Sequence, residues 1–307
     1  VGSEMCIRDR DQIAVLEMGI SDFGEMARLT KIAKPDTCVI TNIGTCHLEN
    51  LGDRDGVLKA KTEIFQSMKP NGHIVLNGDD DKLITVREYN GVKPVFFGLN
   101  SERDVYADQI ESKGLKGVAC RIHLGEDAFD VLVPTPGIHM VYNALAAAAV
   151  GRIYGLTIEE IRRGIESLET IRGRFKMIET DKFLVVDDCY NANPMSMKAS
   201  LDVLHDGEGR RVAILGDMGE LGEDEAALHE GVGIHAATCG IDACVCVGDL
   251  AVHIAEAARK ANPDFPVYYE KTRESLLEHL NDYVQKGDTI LAVSYTHLRA
   301  HETSAHL

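Results

Sequence analysis

The sequence predicts an α/β protein: a mostly parallel sheet with a small antiparallel lobe, followed by a second, Rossmann-like doubly wound sheet. Three observations predict it. Short apolar runs alternate with helical patterns along most of the chain, the signature of βαβ units. Between Val105 and Val133 the pattern changes to β-like alternation punctuated by Gly114, Gly117 and Gly125. Several runs end in polar residues, at the strand edge where open α/β sheets place ligands.

In order, Ile13–Gly19 reads as a short buried strand ending in Glu17, and a helix follows from about Phe23 to Ala33, stopped near Pro35. Thr37–Ile43 is the next strand, and Gly44–Gly52 is a polar loop carrying His47. Gly56–Met68 reads as a helix with Lys59 and Lys61, and Pro70–Gly72 as a turn. His73–Leu76 and Val95–Phe97 are strands, and the alternating lobe closes at Pro134–Gly137. An alanine-rich helix runs from about His139 to Tyr154, where Gly155 is a good C-terminal stop. Thr157 and Glu160 have the spacing of a capping box for a helix reaching about Leu168. A boundary falls near Glu169–Arg174. Beyond it, strands at Lys176–Thr180, Phe183–Val186, Arg211–Leu215, Ala243–Val247, Pro266–Tyr269 and Thr289–Leu291 predict the second sheet. Helices near Met195–Leu204, Asp224–Thr238, Leu250–Ala261 and Arg273–Val284 separate most of them.

A chain of 307 residues has room for two domains with sizeable cores. A net charge of −17 excludes a general nucleic-acid surface, which would be basic, yet allows a local phosphate site. No apolar run approaches a membrane span. The eight cysteines form no CxxC pair, and Cys244 and Cys246 fall on one face of a strand, so the thiols read as reduced and the setting as cytoplasmic. The two ends continue no neighbouring pattern. Val1–Arg10 and the start of Val293–Leu307 can be encoded by opposite strands of one DNA stretch, which resembles a transposase-type sequencing adaptor. Both are therefore set aside as non-native tails.

Four groups of residues could carry chemistry. The stretch Asp187-Asp188-Cys189-Tyr190-Asn191-Ala192-Asn193 packs five polar side chains between a strand and Pro194, which opens a helix. It is a ligand-binding elbow or a well-capped turn. Glu17 and His47 lie just past strands, with Lys61 on the next helix. A carboxylate and an imidazole there suit a divalent metal, but each alone suits an ordinary surface. Asn143 sits in an apolar helix start, where a buried amide needs a partner, and Arg174 at the boundary could reach a phosphate or make a salt bridge. Gly216–Gly222 is a glycine-rich loop without the phosphate-loop lysine, and His229 beyond it reads as solvent-facing.

The segments Glu17-Met18-Gly19, Thr41–Gly44 with His47, Ala60–Glu63, Gly137 with Asn143–Ala147, Gly173-Arg174-Phe175, Asp187–Pro194 and Leu215–Gly222 occur in the order found in the Mur ligases of peptidoglycan synthesis. The chain resembles that family from about Ile13 to Leu291. The resemblance implies a tail at 1–10, an N-terminally truncated central ATPase domain at 11–170, a Rossmann-like ligase domain at 171–292 and a tail at 293–307. The family's UDP-binding domain and GxxGKT/S phosphate loop lie upstream, so the chain alone is expected to be inactive.

The implied reaction is ATP-dependent amide formation through an acyl phosphate. The implied cofactors are ATP and Mg2+, and the substrates are UDP-N-acetylmuramoyl-tripeptide and D-alanyl-D-alanine, handled by a monomer. By resemblance, Glu17, His47 and a carbamylated Lys61 meet the metal and act in catalysis. Asn143, Arg174 and Asp188 meet the nucleotide, and Tyr190, Asn191 and Asn193 line the peptide site. Two positions depart from the pattern. Met140 stands where relatives often have Asn, and the family's Lys-Gly-Ser does not follow Leu291. A folylpolyglutamate- or cyanophycin-synthetase-type ligase, or a non-catalytic nucleotide-binding module, are the alternatives.

Overall fold

The structure, a computed structural model, describes residues 12–294 apart from 46, 171 and 172 and the side chain of 223. The expectations for residues 1–10 and 295–307 lie outside the described residues.

The first unit is built on one six-stranded sheet in sequence order: β1 (Thr37–Ile40), β2 (His73–Asn77), β3 (Val95–Gly98), β4 (Val105–Ser112), β5 (Val118–Leu124) and β6 (Asp127–Val133). Neighbours are parallel from β1 to β4 and antiparallel from β4 to β6. The alternating lobe is therefore a continuation of the parallel sheet, joined where Phe97 pairs with Val105. In β2, Val75 faces one core while Ile74 and Leu76 face another, as the two-residue period of a strand covered on both faces requires. The Val75 side is covered by α4 (Ile138–Ile153) and α5 (Ile158–Glu166). The other is covered by α1 (Glu25–Ala33) and α3 (Arg54–Thr62). Thr157 and Glu160 form the expected capping box on α5.

The second unit has the strand order β11-β10-β9-β12-β8-β7. Its strands are β7 (Lys176–Glu179), β8 (Leu184–Asp188), β9 (Arg211–Gly216), β10 (Ala243–Val247), β11 (Val267–Glu270) and β12 (Thr289–Val293). All run parallel except the β7 edge. Helices α6 (Pro194–His205), α7 (Glu225–Thr238) and α8 (Ala251–Ala261) pack one face, and α9 (Arg273–Tyr283) packs the other. β12 runs two residues past its expected end, so Val293 is the last residue of a buried strand.

Three local expectations change. Ile13–Gly19 is not a buried strand: it forms no ladder, and Ile13 and Val15 are 60% and 85% exposed. A strand needs a neighbour for its backbone groups, and none pairs with this run among the described residues. The helix expected to reach Met68 ends at Thr62 and continues as a 3₁₀ turn over Glu63–Ser67. Asp187 and Asp188 do not stop their strand; they are its last two rungs, opposite Ala292 and Val293.

Candidate active site in the cleft between the two units

Two loops leave the carboxyl ends of β8 and β9, the strands flanking β12. The first is the elbow Cys189–Asn193, and its polar atoms are largely employed in holding its own shape. Asn193 is the N-cap of α6: its Oδ1 accepts the N–H groups of Met195 at 3.0 Å and Ser196 at 2.9 Å, with Pro194 at the first helical position. Any contact of Asn193 to a ligand therefore falls to its Nδ2. Asn191 Oδ1 accepts the N–H of Ala192 at 2.8 Å. Asp187 is buried and accepts the N–H of Cys189.

Asp188 accepts from Ser200 Oγ at 2.6 Å. Burial raises its pKa from the ordinary aspartate value, against the opposing pull of Ser200, the Phe175 N–H and Arg174. The segment Gly173-Arg174-Phe175 is strapped onto this elbow. Tyr190 N–H donates to Gly173 O at 3.0 Å, and the Arg174 guanidinium lies 3.9 Å from the centre of the Tyr190 ring. Gly173 and Phe175 both take left-handed φ, 75° and 55°.

The second loop, Asp217–Leu221, is anchored twice. Asp217 accepts the N–H groups of Asp249, Leu250 and Ala251 at the start of α8. Met218 N–H donates to His229 Nε2 at 3.0 Å. His229 does not face solvent, as its sequence context suggested; it is fully buried on α7. The spacing carried a usable signal, because His229, Val232, Gly233 and Ala236 make one buried helical stripe.

The first unit meets these loops through His47. It caps the short helix α2 (Leu48–Leu51) in a left-handed conformation, φ 59°, and its Nδ1 lies 2.6 Å from Glu220 Oε2. A cleft of about 120 Å³ opens here, lined by His47 from one unit and by Asn191, Asn193, Gly219, Glu220 and Leu221 from the other. Sequence reasoning placed His47, Asn191 and Asn193 on a site but gave no role to Glu220, whose importance depends on the fold bringing His47 to it.

The remaining site candidates are placed elsewhere. Lys61 Nζ donates to Asn42 O at 2.9 Å. Glu17 is highly exposed, with Oε1 3.9 Å from Arg174 Nη2. Asn143 is exposed rather than buried, and its Nδ2 contacts Met140 Sδ at 3.4 Å. Among the described residues no group of three or more His, Cys, Asp or Glu side chains could hold a metal. Magnesium takes a near-octahedral set of oxygen ligands. Glu17, His47 and Lys61, each drawn to a different partner, do not form that set in this arrangement, and nothing below is routed through a bound ion.

Comparison with known proteins decides the family. Residues 4–151 match the Mur ligase middle domain, and residues 173–295 match the Mur ligase glutamate ligase domain. The chain belongs to the Mur ligase family. As a Mur ligase it is 34% identical over 290 residues to the UDP-N-acetylmuramoyl-tripeptide–D-alanyl-D-alanine ligase of Bacillus subtilis, covering 94% of this chain and 62% of the relative. The crystal structure of MurF from Acinetobacter baumannii superposes with a TM-score of 0.88 at 31% identity, covering 97% of this chain and 65% of that one. The crystal structure of MurF ligase from Thermotoga maritima in complex with ADP superposes at 0.79 and 27% identity, covering 93% and 64%. This Mur ligase chain thus spans somewhat less than two thirds of these relatives. No helix among its described residues is long and apolar enough to cross a membrane.

Proposed function

We propose that this chain is the central and C-terminal part of an ATP-dependent ligase that joins D-alanyl-D-alanine to UDP-N-acetylmuramoyl-tripeptide through an acyl phosphate. The observation that carries the reading is the cleft, where His47 of the middle domain faces Asn191, Asn193 and Glu220 of the ligase domain. The similarity to ligases of that name supports the substrate pair. The domain junction is proposed at 170/171, inside the interval between the two family matches. A cytoplasmic setting fits the six free thiols, Cys38, Cys120, Cys189, Cys239, Cys244 and Cys246.

In this reading Arg174 and Asp188 lie at the hinge side of the nucleotide, and Asn143 on α4 meets the adenine. Tyr190, Asn191 and the Nδ2 of Asn193 orient the peptide substrates. Their common task is positioning, which supplies much of the rate in phosphoryl and acyl transfer. The assignment of Glu17, His47 and carbamylated Lys61 to magnesium rests on the family resemblance alone. The test is ATP-dependent phosphate release by the full-length protein with both substrates. Lys61→Ala is expected to reduce turnover by about a hundredfold or more, with partial recovery on adding short carboxylic acids. Undiminished turnover in that variant would remove Lys61 from the site, and no turnover in the wild type would sink the reading.

A further inference from the structure

His229 uses both ring nitrogens. Nε2 accepts the Met218 N–H at 3.0 Å, and Nδ1 lies 2.6 Å from Glu225 O, one helical turn back. A backbone N–H only donates and a carbonyl only accepts. The proton is therefore on Nδ1, and the ring is neutral. Burial favours the same state by depressing the pKa of the ring.

The amide it holds belongs to the wall of the cleft. Asp217 fixes one end of the loop to α8, and Leu221 buries its side chain at the other. Between them Glu220 is held at φ 58°, a left-handed conformation that strains a non-glycine residue. That conformation accompanies the approach of Glu220 to His47 across the cleft. A loop holding a residue in such a state needs firm anchors, and the Met218–His229 bond, two residues before Glu220, is one of them.

We propose that His229 is a positioning residue for the ligase site: as the Nδ1–H imidazole it holds the Met218 amide and so sets the shape of Asp217–Leu221 against the incoming amine substrate. The inference rests on the proposed function for its substrate, but not for its geometry. His229 touches no reactant; it acts through Met218.

Two measurements test it. In the 15N-labelled chain, ring-nitrogen shifts should show a protonated Nδ1 and an unprotonated Nε2, and the Met218 amide should exchange slowly. The opposite tautomer, or exchange as fast as an open loop, overturns the proposal without any variant. In the full-length enzyme, His229→Leu should raise KM for D-alanyl-D-alanine about tenfold while the dissociation constant for ADP changes less than about twofold. His229→Gln, whose Oε1 can still accept from Met218, should recover most of that loss. A lower melting temperature with unchanged KM in both variants, or equal losses in both, would show a structural role alone. If the wild-type enzyme does not use the dipeptide at all, the functional reading fails, and the spectra still decide the geometry.

Discussion

At the scale of the residue, polar side chains near the cleft do two jobs that a sequence cannot separate. Asn193 was legible as a site residue from its crowded neighbourhood, yet its carbonyl oxygen caps α6. Asp188, proposed to meet the nucleotide, has one oxygen held by Ser200. The burial of His229 was signalled by its helical spacing, but its partner was not, because that depends on a loop eleven residues earlier folding back onto it. His229 also makes the clearest pH prediction. Its folded pKa lies below the unfolded value of 6.5. The neutral, buried ring therefore contributes stability that is complete above 6.5 and is lost as pH falls through the lower folded value. The groups facing it are Asp217 from the loop, His253 from α8 and Glu225 on its own helix. The urea midpoint of the wild type should decline from about pH 6.5 downward, and His229→Gln should decline less over the same interval. Parallel curves would show that His229 is not the group titrating.

At the scale of the element, strands and helices were largely legible because burial imposes a period on them. The exceptions have physical causes. Ile13–Gly19 has the composition of a strand but no ladder partner among the described residues, and pairing is not written in composition. The antiparallel lobe was legible from its alternation, while the β3–β4 pairing that joins it to the parallel strands is a tertiary fact. Helix contacts were the least legible. On α7, a Cβ at Gly233 would stand 2.2 Å from Ile254 O on α8, whereas the nearest atom to one at Gly231 is Lys198 Nζ at 3.5 Å. Gly233→Ala should therefore force α7 and α8 apart and cost about 1–3 kcal/mol of unfolding free energy. Gly231→Ala should be neutral or gain up to about 1 kcal/mol, since alanine is the better helix former. Equal effects in chemical denaturation would mean that α8 yields to the added methyl group.

At the scale of the whole molecule, the two units touch through apolar contacts, such as Leu115 against the core of the second unit, and through polar ones, among them His47–Glu220 across the cleft and Ser112 Oγ donating to Asp206 at 2.7 Å. A polar contact as open to solvent as His47–Glu220 adds little to stability, but it can bias how two units sit, because interfaces of this kind permit relative motion. With one spin label on each unit, Glu220→Gln should broaden the distance distribution while the melting temperature stays within about 2 °C. An unchanged distribution would show that other contacts set the approach. The strand order of the second unit reaches beyond the finished structure. β12 is the latest of its six strands in chain order, yet it lies in the middle, between β9 and β8. On the ribosome, at about 5–20 residues per second, β8 and β9 emerge with facing edges open and wait for Thr289–Val293 before the sheet can join. Until then, two apolar edges are exposed to one another and to any other chain. The unit that carries the elbow and the loop therefore cannot complete its sheet until its latest strand has emerged.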